Sequence, residues 1–159
     1  MTAPVLEIHL SDSEAADALH HDVRVGLSAD PKWLPPKWFY DARGSDLFEE
    51  ITALPEYYPT RTERELLRRC ADEIAGSAAI GTLVELGSGS SEKTRLLLDA
   101  LTASGSLQRF VPLDVSESAL RGAMAAVAQE YPGLAVHGVV GDFTKHLELL
   151  PTGQCGRRL

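Results

Sequence analysis

Cysteine is scarce in this sequence, and the spacings that would make it a metal ligand are absent. The 159 residues contain two cysteines, Cys70 and Cys155, and no C-x-x-C pair. Cys70 lies in an amphipathic helical pattern and Cys155 in a polar tail, so we expect two free thiols rather than a disulfide. His20 and His21 have no second ligand at i+4, which favours a solvated or packing role. The sequence therefore predicts no metal site.

Basic charge and long apolar runs are also lacking. The chain carries 23 acidic and 15 basic residues, a formal charge of −8. Such a charge repels a phosphate backbone or an anionic membrane surface. No apolar run approaches the roughly 20 residues of a membrane-spanning helix, and the first residues lack the features of a secretory signal. We expect no nucleic-acid partner, no membrane association and a cytoplasmic location.

The first 80 residues have the pattern of helices interrupted by a proline-rich loop. "SDSE" at residues 11–14 has the spacing of a capping box and predicts a helix to about residue 28. Capping signals at Ser45 and at Thr60-x-x-Glu63 predict two more helices, the second ending at Gly76. The loop that starts at residue 30 contains three prolines, which exclude regular structure. It carries four aromatic side chains that must pack on the protein or on a ligand: Trp33, Trp38, Phe39 and Tyr40.

From residue 81 the pattern changes to alternating strands and helices. Strands are predicted at 82–86, 110–115 and 134–140, helices at 91–101 and 116–130, a short helix at 144–150, and the start of a further strand at the end of the chain. This alternation is typical of an α/β fold with a parallel sheet, whose strands all end at one edge. That edge is where such folds bind ligands.

Each predicted strand ends near an acidic residue, namely Glu85, Asp114 or Asp142. The turn after the first strand, within "TLVELGSGSSEKTRLLLDAL" at residues 82–101, has two glycines but places Glu92 where a dinucleotide fold has its third. A carboxylate there repels a diphosphate, and no G-K-[ST] sequence marks a P-loop.

S-adenosylmethionine fits these residues better, because it carries a sulfonium and no phosphate. Gly87 and Gly89 would let the backbone approach its methionine part, while Lys93 and the helix N-terminus could receive its carboxylate. Asp114 could accept from the ribose diol, and Asp142 from the adenine amine with Phe143 against the base. The alternatives are a simple tight turn at the glycines and a helix-capping role for Asp114.

The motifs also resemble a known family. "LPPKWFYDARGSDLFEEITALPEYYPTRTERELL", "PLDVSESAL" and "VVGDF" are similar to segments of the actinobacterial L-histidine Nα-methyltransferases of ergothioneine biosynthesis, over about residues 16–150. The aromatic segment is more specific than the glycine turn. The resemblance implies a Rossmann-like class I S-adenosylmethionine-dependent methyltransferase core, here with an incomplete parallel sheet preceded by an N-terminal helical segment.

The resemblance also implies roles for individual residues. The cofactor S-adenosylmethionine would be bound by Gly87, Lys93, Asp114, Asp142 and Phe143. Tyr57 would contact the substrate histidine, and Tyr40 would act near its α-amino group as the catalytic residue. The alternative for the tyrosines is ordinary aromatic packing, which we favour for Tyr58.

The reaction implied is the methylation of L-histidine and of its mono- and dimethyl forms, ending at the betaine hercynine. The partner is then a small molecule, and the full-length enzyme is expected to be a monomer. Two alternatives remain: a methyltransferase of the same fold that acts on another amino acid or amine, and a non-catalytic cofactor-binding fragment.

The family's sequences continue further than this chain. Residues 1–80 would form an N-terminal segment contributing to the substrate site, and residues 81–159 the first half of the cofactor-binding domain. A further strand and an inserted substrate-binding domain of the family have no counterpart here. We therefore expect a truncated, inactive and poorly soluble or partly unfolded product, whose first predicted strand is left as an unpaired edge.

Overall fold

The computed structural model describes residues 3–150 and 156–159. These form five β-strands and five α-helices, with two short 3₁₀ turns at Pro36–Phe39 and Leu147–Leu149. The strands are β1 (Val5–Ile8), β2 (Ile80–Leu86), β3 (Arg109–Asp114), β4 (Ala135–Val140) and β5 (Arg157–Arg158). The helices are α1 (Asp12–Ser28), α2 (Ala42–Thr52), α3 (Tyr58–Ser77), α4 (Arg95–Ala103) and α5 (Glu117–Glu130). The predicted alternation from residue 81 is confirmed.

All five strands are parallel and lie in the order β1-β4-β3-β2-β5. The crossovers β2-α4-β3 and β3-α5-β4 each move one strand along the sheet in the same direction. Right-handed crossovers of this kind put both helices on one face. The ends of β2, β3 and β4 lie side by side, with Leu86 paired to Leu113 and Asp114 to Val140. The turns in which the sequence predicts ligand-binding residues lie at this edge.

The main core lies between the sheet and helices α3, α4 and α5. Phe110 of β3 is fully buried together with Leu98 and Leu101 of α4 and with Leu120 of α5. Residues on the other face of the central strands, Val111, Leu113 and Val139, form a second, smaller buried cluster together with Leu150. Burial on both faces explains why the middle of β3, residues 110–113, is a continuous apolar run rather than an alternating one.

Strand β1 was not anticipated from the sequence. It pairs with β4 from Val5 opposite His137 to Ile8 opposite Val140. The amide of His9 continues the ladder with a 2.9 Å hydrogen bond to the carbonyl of Val140. Four residues are too few for a clear period-2 signal.

The expectation of an unpaired edge at the first predicted strand, β2, is wrong. β5 pairs with β2 through Ile80 opposite Arg157 and Thr82 opposite Arg158. The amide of Val84 also donates to the carbonyl of Leu159 at 2.9 Å. The edge is therefore covered, although by a very short strand.

Of the three helix starts predicted in the N-terminal segment, one is confirmed and two differ from the structure. The capping box at Ser11 and Glu14 is confirmed. α2 begins earlier than Ser45, because the carboxylate of Asp41 caps it by accepting from the amide of Gly44. α3 begins at Tyr58 and has Pro59 in its first turn, so the capping role expected for Thr60 and Glu63 is wrong.

Two further boundaries differ from prediction. α4 begins at Arg95 rather than residue 91, since residues 87–94 form an extended turn instead. The helix predicted at 144–150 is reduced to the 3₁₀ turn Leu147–Leu149. Among the described residues, no helix has the length and apolar character needed to cross a membrane.

Candidate functional site

The turn between β2 and α4 is built from residues that adopt left-handed backbone conformations. Gly87 has φ +70°, Gly89 has φ +48° and Ser91 has φ +53°. Glycine adopts this region without strain, whereas Ser91 requires support from its surroundings. The amides of Gly87 and Ser88 both donate to the carbonyl of Leu113, at 2.8 and 3.1 Å, and so fix the turn to the end of β3.

Glu85 supplies that support from beneath the turn. Its carboxylate accepts hydrogen bonds from the hydroxyls of Ser91, at 2.9 Å, and Thr94. Burial raises the pKa of Glu85, and the two hydroxyl donors only partly offset this effect. The turn therefore contains a carboxylate whose negative charge is costly unless a cation approaches it.

Asp114, at the end of β3, contacts the glycine turn directly. One carboxylate oxygen accepts from the amide of Gly89 at 2.9 Å, and the other accepts from the amide of Ser116 at 2.9 Å. The second contact agrees with the alternative interpretation, in which Asp114 stabilises the start of α5. A carboxylate has about four acceptor positions. Two of them remain for a ligand after both amides are counted.

Asp142, after β4, is only 6% exposed and is held by three donors. One oxygen accepts from the amide of Thr144 at 2.9 Å and from its hydroxyl at 2.5 Å, and the other lies 3.1 Å from Nζ of Lys37. Burial alone would raise the pKa of Asp142, but the hydrogen bonds from Thr144 and Lys37 outweigh it and lower the pKa to about 2. Asp142 is therefore an anion at neutral pH.

A cavity of about 430 Å³ lies beside Asp142. Its walls come from the end of β1, from α1, from the 3₁₀ turn at residues 36–39 and from the ends of β3 and β4. The lining residues are His9, Leu10, Glu14, Asp17, Ala18, Lys37, Trp38, Val115, Asp142, Lys145 and His146. The cavity therefore reaches Asp142 and the residue after β3, but its lining includes neither Asp114 nor the glycine turn. Phe143, the remaining predicted contact to the base, is outside this lining and 45% exposed.

Lys93 does not lie free beside the glycines. Its ammonium forms an ion pair with Glu63 of α3, and a second bridge joins Arg64 to Glu92 at 3.3 Å. Both pairs connect α3 to the turn before α4. Lys93 therefore serves in this structure to hold the N-terminal helices against the turn, and its predicted contact with a ligand carboxylate stays a prediction.

Tyr40 and Tyr57, which were assigned to the substrate, share a neighbour. The ring of Phe48 on α2 lies 5.6 Å from that of Tyr40 and 6.0 Å from that of Tyr57, both in edge-to-face geometry. The structure therefore brings the two tyrosines to one aromatic cluster. Tyr58 is 66% exposed, so the packing role that we favoured for it is wrong.

The residues around the turn fit a phosphate-free cationic nucleoside. The hydroxyl of Ser88 is buried and has no hydrogen-bond partner among the described residues, which leaves a donor and acceptor for a ligand. A Cβ atom built on Gly87 would meet nothing within 4 Å, so the backbone there faces open space. Glu85 and Asp114 give this space a negative field that disfavours phosphate.

Glu85 was predicted to lie at the sheet edge but was given no role, and no role was predicted for Ser88 or Lys37. Glu85 was visible as the acidic residue that ends the first strand. Lys37 carried no signal, because its partner Asp142 is 105 residues away. Among the described residues, no group of histidine, cysteine or acidic side chains could hold a metal ion, and the described cysteine Cys70 is a free thiol, whereas Cys155 lies outside the described residues.

Known proteins resemble this chain in sequence over most of its length. A family profile described as "Histidine-specific methyltransferase, SAM-dependent" matches residues 19–159. The chain is 58% identical over 151 residues to histidine N-alpha-methyltransferase of Mycolicibacterium smegmatis and 55% identical over 151 residues to that of Mycobacterium tuberculosis. Both alignments cover 95% of this chain but 46% of the relative, so the chain spans about half their length.

A more distant relative is ergothioneine biosynthesis protein 1 of Schizosaccharomyces pombe. It is 37% identical over 123 residues, which cover 74% of this chain and 16% of that protein. The family profile covers most of the chain, including the glycine turn and all three acidic residues at the sheet edge. The chain therefore belongs to the family of S-adenosylmethionine-dependent, histidine-specific methyltransferases.

Proposed function

We propose that this chain carries the methyl-donor site, and part of the acceptor site, of an enzyme that methylates the α-amino nitrogen of L-histidine. Successive transfers to the mono- and dimethyl forms would give hercynine. The observation that carries the proposal is the contact between Asp114 and the amide of Gly89. It joins the two sequence motifs that were assigned independently to the ribose and to the methionine part of the donor.

When bound, S-adenosylmethionine supplies an electrophilic methyl group attached to a sulfonium. Around it, the chain provides hydrogen-bond acceptors rather than cations. Asp114 has free acceptor positions for a diol, and Asp142 is an anion beside a cavity large enough for a purine. Glu85 offers buried negative charge close to the turn, which favours a cationic group there.

On the acceptor side, the residues suit a neutral amine. Tyr40 and Tyr57 can each donate or accept one hydrogen bond without bringing a charge that would oppose a quaternary nitrogen. Positioning such an amine in line with a methyl group can contribute on the order of 7–11 kcal/mol to lowering the barrier. The division proposed for the chain is that residues 1–80 contribute to the acceptor site and residues 81–159 form the first half of the donor-binding domain, with residues 1–80 also lining the cavity beside Asp142.

The chain by itself is proposed to bind the donor without completing the reaction. Relatives are about twice as long, and Tyr40 is 40% exposed, so the acceptor side is open to solvent. The test is isothermal titration of the 159-residue chain with S-adenosylhomocysteine, followed by methyl-transfer assays with L-histidine and its methylated forms. Donor binding without turnover supports the proposal, whereas full turnover contradicts the inactive-fragment part of it.

The choice of acceptor is tested separately. An enzyme formed by this chain joined to the remaining half of a mycobacterial relative should methylate histidine and both intermediates. If that chimaera binds the donor but methylates only another amine, the histidine assignment fails while the donor site stands. If a folded chain binds no donor, the donor-site proposal itself fails.

A further inference from the structure

Lys37 links two parts of the molecule that the proposed function assigns to different substrates. Its ammonium lies 3.1 Å from Oδ2 of Asp142, which follows β4 at the sheet edge. The same side chain belongs to the 3₁₀ turn Pro36–Phe39, whose next residue is Tyr40. Asp142 was assigned to the donor's base and Tyr40 to the acceptor, so the contact of Lys37 connects the segment before Tyr40 to Asp142.

Lys37 is held on its other side by α1. Asp22 lies 3.6 Å from the ammonium and accepts a 2.9 Å hydrogen bond from the indole nitrogen of Trp38. The ammonium also sits 4.9 Å from the centre of the Trp38 ring, within the range of a cation–π interaction. One basic side chain therefore fixes the turn to a helix and to the end of a strand together.

The ion pair is partly removed from solvent. The side chain of Lys37 is 30% exposed, that of Asp22 is 18% exposed and that of Asp142 is 9% exposed. Pairs of this kind are screened less than surface pairs, and breaking one by removing a partner leaves an uncompensated charge. The contact thus helps to orient the Asp142 carboxylate, together with the two hydrogen bonds from Thr144.

Counting only partners among the described residues, Asp142 retains one free acceptor position. Oδ1 accepts twice from Thr144 and Oδ2 accepts from Lys37, which leaves one of about four positions. That position belongs to Oδ2 and lies at the cavity that Lys37, Trp38 and Val115 also line. An exocyclic amine of a base in this cavity could use it without displacing Lys37.

We propose that Lys37 is a positioning residue for the methyl donor: it aims the Asp142 carboxylate at the base and fixes the turn before Tyr40 in the same contact. The inference rests on the proposed donor site. The groups around the pair are Asp22 and Asp17 of α1, Glu14 at its start, and Lys145 and His146 after β4. The ammonium of Lys37 contacts the carboxylates of both Asp22 and Asp142.

The test compares three variants of the 159-residue chain by titration with S-adenosylhomocysteine. Lys37→Met keeps the length of the side chain and removes its charge, and we expect about a tenfold rise in Kd. Lys37→Arg keeps the charge and should restore binding to within about threefold of the parent chain. The control is Lys32→Met, since Lys32 lies on the same loop but contacts the carbonyl of Leu27 instead; it should leave Kd unchanged.

A second measurement separates positioning from a general loss of structure. Adenosine and inosine differ at the group that the Asp142 carboxylate would accept from, so the ratio of their Kd values reports how the carboxylate is aimed. Lys37→Met should lower the preference for adenosine, whereas a variant that is merely less stable keeps the ratio.

Three outcomes are decisive. Tighter binding of S-adenosylhomocysteine by Lys37→Met would mean that Lys37 competes with the base, which overturns the inference. Unchanged binding and an unchanged adenosine preference in a folded variant would also overturn it. Absence of binding by the folded parent chain would instead refute the proposed function, and the two failures are therefore distinguishable.

Discussion

The three acidic residues at the sheet edge are held by different kinds of donor. Glu85 accepts from side-chain hydroxyls, Asp114 from backbone amides, and Asp142 from a lysine and a threonine. Burial dominates at Glu85 and raises its pKa, whereas hydrogen bonds dominate at Asp142 and lower its pKa. At the residue scale, the site therefore contains one carboxylate that gains from an approaching cation and one that is already an anion.

Asp114→Asn should weaken binding of S-adenosylhomocysteine by at least about tenfold. The amide side chain has one acceptor oxygen in place of two, so it cannot accept from Gly89 and Ser116 while also serving a ribose. A part-buried amide left without a partner also lowers the free energy of unfolding. Titration calorimetry and thermal unfolding measure the two effects. The matched control is Asp72→Asn on the exposed side of α3, and equal effects of both variants would contradict the role of Asp114.

Glu85→Gln should stabilise the ligand-free chain relative to the parent at neutral pH. Because the folded-state pKa of Glu85 is raised above 4.5, the unfolded chain releases this proton first as pH increases. The parent chain then loses stability relative to the variant as pH rises from about 4.5, until the folded-state pKa is passed. Denaturant unfolding between pH 4.5 and 8 measures the difference. Glu73→Gln, an exposed change on α3, is the control; a difference that shrinks as pH rises would contradict the assignment.

The location of three acidic residues at one edge of the sheet could be predicted from the sequence, because parallel strands end at one edge. Glu85, Asp114 and Asp142 each follow or close an apolar run, and their positions followed from that topology. Lys37 and Glu63 could not be found in this way. Their partners, Asp142 and Lys93, are distant in the sequence. The local spacing of residues does not predict which charged side chains form ion pairs across such distances.

At the scale of elements, Arg95 connects the glycine turn to helices α4 and α5. Arg95 donates to the carbonyls of Ser90 and Ser91, at 3.2 and 2.8 Å, and forms a two-pronged pair with Glu130 at the end of α5. Hydrogen bonding to Glu130 raises the pKa of Arg95 and lowers that of its partner. The first residue of α4 therefore fixes the turn that precedes it.

Arg95→Ala should lower the unfolding free energy by about twice as much as Arg121→Ala, or more. Arg121 makes a single i,i+4 contact with Glu117 on α5 and is mostly exposed, so it is a matched control for a lost arginine–glutamate pair. Arg95→Ala should also weaken S-adenosylhomocysteine binding, since the turn loses two of its carbonyl contacts. Chemical denaturation and calorimetry provide the measurements. Equal destabilisation by the two variants would show that the Arg95 contacts do not fix the turn.

Elements were predicted well where the pattern was long and poorly where a side chain at the boundary decided the outcome. α1 and α5 were predicted to within a residue or two, because their apolar spacing and caps agree. α4 starts a turn later than its apolar pattern because Ser91 adopts a left-handed conformation to reach Glu85. β1 is recognisable only through its pairing with β4.

At the scale of the whole molecule, the sheet has its larger core on one side. Helices α3, α4 and α5 cover that side, while Val111, Leu113, Val139 and Leu150 form the smaller cluster on the other. The binding edge lies across the ends of β2, β3 and β4, and the N-terminal segment closes it through Lys37 and α3. The family and the parallel topology were predictable from motifs, but this closure depends on contacts between distant segments.

The central claim is that the glycine turn and the two aspartates select a phosphate-free, cationic nucleoside. Calorimetric titration of the folded 159-residue chain with S-adenosylmethionine, S-adenosylhomocysteine and ADP tests it directly. We predict one binding site for the first two, with S-adenosylmethionine at least as tight because of its sulfonium, and no measurable binding of ADP. Binding of ADP as tightly as S-adenosylhomocysteine, or no binding of either S-adenosyl compound, would contradict the account.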